Sequence, residues 1–147
     1  MKILIIEDNI FKREKIINFL DEHFDFEVEA AASYNSGLSL AMKGGYEFIV
    51  LDMSMPTFDR SDTAQGGRFR TVAGKEIALK LKRLNKLVPF VVVTGYSDFS
   101  VDSKSLSIEQ IDDLLSAVGD MYKGYVKFDS SNSVWKDQLL EVVVKLK

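Results

Sequence analysis

Short apolar, β-branched runs alternate along this chain with longer segments whose apolar positions recur at helical spacing. "KILII" (Lys2 to Ile6) reads as a buried strand, and the Asp8-Asn9 pair after it offers caps to a helix with Ile10, Ile17, Leu20 and Phe24 along one face. "FEVEAAA" begins by alternating, with Phe26 and Val28 on one side and Glu27 and Glu29 on the other. A short helix over Leu38 to Lys43 is stopped by Gly44 and Gly45, and "YEFIVLD" (Tyr46 to Asp52) runs as a third strand. A helix over Lys75 to Leu84 presents Ile77, Leu81 and Leu84, and "PFVVVT" (Pro89 to Thr94) is the fourth strand. Ser107 and Gln110 form a capping box for a helix whose apolar face is Ile108, Ile111, Leu114, Leu115 and Val118, closed by Gly119. "GYVKF" (Gly124 to Phe128) is the fifth strand. A final helix begun by Ser133 offers Trp135, Leu139, Val142, Val143 and Leu146 for burial.

Strands alternating with helices predict an α/β fold with a mostly parallel sheet, because each crossover returns the chain to the same edge. The first, third and fourth strands are continuous apolar runs, as expected of central strands covered on both faces. The second alternates and the fifth is short, as expected of edges. The order 2-1-3-4-5 fits these textures. It makes the first and third strands neighbours at the topological switch point, where open α/β sheets bind ligands.

Composition narrows the chemistry. The 147 residues, 46% of them hydrophobic, suffice for one domain with a substantial core, expected to span 1–147. There is no cysteine, and His23 is the only histidine, so disulfides, thiolate metal sites and multi-histidine clusters within one chain are excluded. His23 reads as a surface or helix-end residue. A net charge of -3 with mixed signs offers no basic face for nucleic acid. The apolar start is too short for a signal peptide or membrane span, so a cytoplasmic location is expected.

Asp52 ends the third strand and is followed at once by a loop with Pro56. In the predicted order Glu7 and Asp8, at the end of the first strand, reach the same crevice. Two like charges at about 4 Å repel by roughly 1 kcal/mol in water and about 4 at an intermediate dielectric, so three acids together call for a cation or protons. An all-oxygen set suits a hard divalent ion, and sparse carboxylates that leave room for waters and a phosphate suit Mg²⁺ better than Ca²⁺. Thr94 and Lys127, ending the fourth and fifth strands, add a hydroxyl and an ammonium to the rim. Such a pocket would stabilise an acyl phosphate on Asp52. Singly, each has a plainer reading: Asp8 as a helix cap, Thr94 as a β-branched strand residue, Lys127 as a snorkelling edge side chain. Met53, Met55 and Trp135 read as packing residues.

Glu7-Asp8, Asp52 in "LDMSMP", Thr94 in "VVVTGYSD" and Lys127 in "YVKF" resemble the receiver domain of two-component response regulators over nearly the whole chain. The 44-residue separation of Asp8 and Asp52 is similar to that family's spacing. The resemblance implies a flavodoxin-like (βα)5 three-layer sandwich. It implies that Asp52 accepts a phosphoryl group from a phosphohistidine on a sensor histidine kinase or histidine phosphotransfer protein. By the same resemblance Glu7, Asp8, Asp52 and the backbone carbonyl of Ser54 hold Mg²⁺, and Thr94 and Lys127 bind the phosphoryl oxygens. Thr94 and an aromatic, here Tyr125, act as the switch that reshapes the surface of the fourth helix, fifth strand and fifth helix. Such a chain promotes only its own phosphorylation and dephosphorylation, with Ser54 and Tyr96 at positions that influence hydrolysis.

Departures from the family pattern mark what is particular to this chain. Phe128 stands where a cis proline usually follows the lysine. A cis bond there would cost about 2.5 to 4 kcal/mol, so either trans geometry or a strained exception is expected. The family's aromatic sits three residues before the lysine, a place held here by Gly124, with Tyr125 one nearer. An insertion over about 57–73 lies beside the crevice, with Gly66 and Gly67 as hinges, Arg60, Arg68 and Arg70 as charge, and Phe58 and Phe69 as anchors. It reads either as a solvated loop or as a lid or docking element with an arginine reaching the phosphoryl group. "FSVDSKSLS" lengthens the other wall. No output domain follows the last helix in this sequence, so the expected output is protein contact or phosphate relay. A dehalogenase-type phosphatase would place a second acid where Ser54 stands, and three acids make a poor flavodoxin-type phosphate cradle. The main alternative is a pseudo-receiver that signals without phosphorylation.

Overall fold

The computed structural model of the chain describes residues 1–61, 65–101 and 103–146. In chain order the first half runs β1 (Lys2–Ile6), α1 (Ile10–His23), β2 (Glu27–Ala31), α2 (Tyr34–Lys43), β3 (Phe48–Leu51), β4 (Met55–Pro56) and β5 (Phe69–Arg70). The second half runs α3 (Ala73–Arg83), β6 (Phe90–Thr94), β7 (Asp98–Val101), β8 (Lys104–Ser107), α4 (Ile108–Ser116), β9 (Tyr122–Lys127) and α5 (Val134–Leu146). Five strands pair in parallel in the order β2-β1-β3-β6-β9. With the two small hairpins set aside, this is the 2-1-3-4-5 order and the flavodoxin-like fold expected from the sequence.

The pleat sends alternate residues of each strand to opposite layers. Leu4, Ile6, Ile49, Leu51 and Val92 pack against α2, α3 and α4. Ile3, Ile5, Val50, Val91 and Val93 pack against α1 and α5, where Trp135 is buried among Phe19, Leu139 and Val143. Met53 and Met55 are fully buried. Helix starts follow their caps. Asn9 Oδ1 accepts the Lys12 N–H at 3.0 Å, Ser33 caps α2, and Ser107 and Gln110 close the capping box on α4.

The helical faces differ in detail from the apolar pattern. In α1 the buried residues are Lys12, Ile16, Phe19 and Leu20, while Ile10 is exposed. Leu84 and Leu114, expected inside, are also exposed. Two antiparallel hairpins, β4–β5 and β7–β8, lie outside the main sheet. The first pairs Met55–Pro56, just before the segment read as an insertion over 57–73, with Phe69–Arg70 inside it; residues 62–64 of that segment fall outside the described residues, as does Asp102 in the second extension. Main-chain bonds hold the first hairpin: the Thr57 N–H donates to Arg68 at 3.0 Å and the Phe58 N–H to Gly66 at 2.9 Å. Phe58 and Phe69, expected to anchor this segment, stay about half exposed because the ladder already fixes it. Thr71 Oγ1 donates to the Ser100 carbonyl and ties the two hairpins together. Among the described residues no helix is long and apolar enough to cross a membrane.

Gly74, the second residue of α3, lies against the loop that carries Asp52. A Cβ there would stand 2.4 Å from the Asp52 carbonyl oxygen, closer than any side chain tolerates. Gly74→Ala is therefore expected to push the Asp52 loop and cost about 1–3 kcal/mol, measured by urea denaturation.

Candidate functional site

Strand ends deliver the acids. Glu7 follows β1 and donates its N–H to Ala31 at 2.9 Å. Asp52 follows β3 and donates its N–H to Ile6 at 2.9 Å. The ladder thus fixes both residues before their side chains do anything. One carboxylate oxygen from each of Glu7, Asp8 and Asp52 lies within 4.8 Å of the others. Glu7 and Asp52 are 2% and 5% exposed, at the floor of a cleft of about 550 Å³ also lined by Asp8, Ser54, Tyr96 and Phe128.

A residue that the sequence reading missed lies between the acids. Lys12, on the first turn of α1, is buried with its Nζ 2.5 Å from Glu7 Oε1 and 3.2 Å from Asp52 Oδ1. It donates to the Val93 carbonyl at 2.7 Å, and the Phe128 ring centroid lies 5.8 Å from it. The available signal was its spacing: Lys12, Ile16, Phe19 and Leu20 form one i, i+4, i+7, i+8 stripe, and a lysine in a buried stripe needs a partner. Asp8 meets a second cation. Arg60 Nη1, from the insertion, lies 2.9 Å from Asp8 Oδ2. Arg70 instead pairs with Glu76 at 3.0 Å and lies over the Tyr34 ring, and Arg68 is exposed.

Burial pushes the Glu7 carboxyl up to about 8, helped by the facing Asp52 charge and opposed by Lys12. Burial also raises Asp52, against the pull of Lys12. Lys12 loses hydration, which lowers its pKa, but the Asp52 and Glu7 charges outweigh this and hold it above the ordinary lysine value. One ammonium therefore faces two buried carboxyls, and the second negative charge is relieved by a proton or a further cation. Glu7 Oε1 is buried without a well-directed hydrogen bond, although Lys12 faces it. An all-oxygen donor set of three converging carboxylates, with one ammonium between the two buried ones, fits a Mg²⁺ ion.

The other expected site residues have different surroundings. Ser54 lines the cleft, and its hydroxyl donates to the Thr71 carbonyl at 2.5 Å. Thr94 is fully buried and its Oγ1 accepts the Tyr96 N–H at 3.2 Å. Lys127 pairs with Thr94 across the β6–β9 ladder, but its Nζ donates to Ser97 Oγ rather than meeting Asp52. Tyr125 packs against the α2–α4 layer. The Lys127–Phe128 peptide is trans. The Phe128 N–H donates to the Thr94 carbonyl at 2.8 Å, a bond that proline could not make, and its ring packs 4.9 Å from Trp135. His23 is exposed at the end of α1, with Nδ1 3.1 Å from the Phe19 carbonyl.

The chain matches the response regulator receiver domain family over residues 3–116, and it belongs to that family. It is 29% identical over 150 residues to the Detocs response regulatory protein DtcB of Enterobacter cloacae, covering 99% of this chain and all of that one. Among solved structures it resembles the response regulator TrrA of Thermotoga maritima in complex with Mg²⁺ and BeF, at 25% identity and a TM-score of 0.67, over 99% of this chain and 98% of that one. A CheY-like receiver domain protein of Methanospirillum hungatei shares the fold at 23% identity and a TM-score of 0.64, over 99% and 92%.

The raised Glu7 pKa carries a sign for stability. The folded state prefers the protonated carboxyl, so without a divalent cation the contribution is full below about pH 4.5 and is lost as pH rises through about 8. The Tm in EDTA is expected to fall between pH 6 and pH 8, at about 3 °C per kcal/mol for a chain of this size. Glu7→Gln should flatten the slope and Mg²⁺ should oppose it, as read by scanning calorimetry.

Proposed function

We propose that this receiver domain, one unit over 1–147, accepts a phosphoryl group on Asp52 from a phosphohistidine of a sensor histidine kinase or histidine phosphotransfer protein. The reading rests on one observation above all: Glu7, Asp8 and Asp52 converge in a cleft at the carboxyl ends of β1 and β3. Glu7, Asp8, Asp52 and the Ser54 carbonyl would hold Mg²⁺. The TrrA relative was solved in complex with Mg²⁺ and BeF, which supports a Mg²⁺ site in this chain. Bound there, the ion would neutralise charge on the phosphoryl oxygens.

The chain's own groups do the rest. The Asp52 carboxylate attacks phosphorus as the donor's N–P bond breaks, the imidazole nitrogen keeping the bonding pair, and the loops on either side of the cleft orient the donor. Phosphorylation adds charge and new acceptor oxygens at Asp52, which attract the Thr94 hydroxyl away from its present role as acceptor for the Tyr96 N–H. Lys127 reaches those oxygens only after leaving Ser97. Movement of Thr94 and Lys127 would then be felt by Tyr125, on the same face of β9, and by α4. The chain transforms itself rather than outside substrates, acts in the cytoplasm and signals by protein contact or phosphate relay, without touching nucleic acid or membrane.

A pseudo-receiver is the second reading, favoured by two contacts: Lys127 is tied to Ser97, and Arg60 covers Asp8. With Mg²⁺ and the cognate phosphohistidine donor, mass spectrometry is expected to show one added phosphoryl group on the wild type and none on Asp52→Asn. Failure with that donor would move the conclusion to the pseudo-receiver. Because Arg60 is 48% exposed, its pair with Asp8 is worth only about 0.2–1 kcal/mol. Arg60→Ala should accordingly tighten Mg²⁺ binding by about 1.4- to fivefold in calorimetric titration.

A further inference from the structure

Lys12 is the only buried basic side chain among the described residues, and its ammonium touches the reacting carboxylate. Lysine is costly to bury, so its place needs a reason. The Val93 carbonyl, Glu7 and Asp52 satisfy it from three elements, while the Phe128 ring closes the remaining side. Lys127, by contrast, donates to Ser97, and Phe128 rather than Lys127 lines the cleft. Main-chain geometry holds this arrangement: the Phe128 N–H bonds to Thr94, which puts the Phe128 ring on the α1–α5 side and leaves Lys127 on the other.

We infer that Lys12, projecting from α1, is a catalytic residue of the Asp52 site: its ammonium neutralises the acceptor carboxylate and binds the oxygens of the incoming phosphoryl group. This rests on the phosphoacceptor reading above. In the step itself an Asp52 Oδ–P bond forms as the donor N–P bond breaks. The leaving nitrogen keeps the bonding pair and takes its proton from water. Lys12 donates hydrogen bonds throughout and gives up no proton. Since its Nζ already faces Glu7 Oε1 and Asp52 Oδ1, it also competes with a divalent cation for those oxygens.

The test compares wild type, Lys12→Met, Lys12→Arg, Lys127→Met and Asp52→Asn. Phosphoramidate and Mg²⁺ supply the reaction, followed by intact mass. Circular dichroism checks each fold, and Lys12→Gln replaces Lys12→Met if the latter does not fold. Lys12→Met is expected to label about a hundredfold more slowly than wild type, a larger loss than in Lys127→Met, with partial recovery in Lys12→Arg. Titration with Mg²⁺ alone should show Lys12→Met binding the ion about tenfold more tightly, since one competing charge is gone. Labelling of Lys12→Met at the wild-type rate, a greater loss in Lys127→Met, or an unchanged Mg²⁺ affinity overturns the assignment and leaves the phosphoacceptor reading standing. A wild type that labels no more than Asp52→Asn with phosphoramidate and with the cognate phosphohistidine donor alike overturns both.

Discussion

Three carboxylates can share a buried cleft only if positive charge is supplied there, and the rest of this site follows from how the chain supplies it. The sheet order makes the convergence unavoidable, because β1 and β3 are hydrogen-bonded neighbours and both end in acid. At the exposed rim an arginine suffices: Arg60 meets Asp8 in partly solvated surroundings, where such a pair is worth little. At the floor the situation differs. Lys12, Glu7 and Asp52 are nearly dry, so each charge has lost its hydration and depends on the others. Removing one member of such a group typically costs about 3–5 kcal/mol, whereas a cation that exchanges for Lys12 costs far less. The floor is thus only partly neutralised from within, which on the proposed function leaves it ready to take a divalent ion and then a phosphoryl group.

Much of this was legible in the sequence, and what was not has a common cause. The continuous apolar texture of Ile3–Ile6, Phe48–Leu51 and Phe90–Val93 located the central strands, and the capping box at Ser107 located the start of α4. Those signals are local. Lys12 fails to register because a binary pattern counts lysine as polar, so the expected stripe runs through Ile10, Ile17, Leu20 and Phe24, whereas the buried one is Lys12, Ile16, Phe19 and Leu20, with only Leu20 in common. The reason for the shifted stripe lies on β1 and β3, where the acids draw the ammonium inward, and no reading of the helix alone contains it. Likewise the two hairpins rest on main-chain pairing between short segments with little apolar alternation, which leaves a weak trace in composition.

The departures around Lys127 belong to one rearrangement. Strand alternation puts residues three apart on opposite faces of a regular strand and residues two apart on the same face. With Tyr125 two residues before Lys127, both look toward the α4 side, and Val126 and Phe128 look toward α1 and α5. The register shift between Phe90 and Val92, with Gly124 at a φ of +94°, absorbs the extra residue in the edge strand and lets the last pairs close normally. Phe128 then supplies an N–H that extends the ladder and a ring that walls the cleft. Phe128 thus occupies the α1–α5 face at the strand end, and the ammonium that meets Asp52 comes from Lys12 on α1, while Lys127 donates to Ser97.

The two hairpins bear on how such a site could be read at a distance. Ser54 donates to Thr71, and Thr71 donates to Ser100 in β7, so the loop carrying Asp52 is bonded stepwise to the far wall. On that wall Phe99 is buried and stacks edge-on with Tyr96, whose N–H is held by Thr94. Contacts thus run along one side of the cleft from the Asp52 loop to the Thr94 hydroxyl. Continuity alone does not make a signal, since a packed chain with a single arrangement merely resists displacement. What would convert this run of contacts into a switch is a second position for Thr94, because the Tyr96 N–H would then lose its acceptor, and Tyr96 packs on Phe99 of the β7–β8 hairpin. The wall facing a docking partner would change with the charge on Asp52, and no contact between that partner and the acids would be needed.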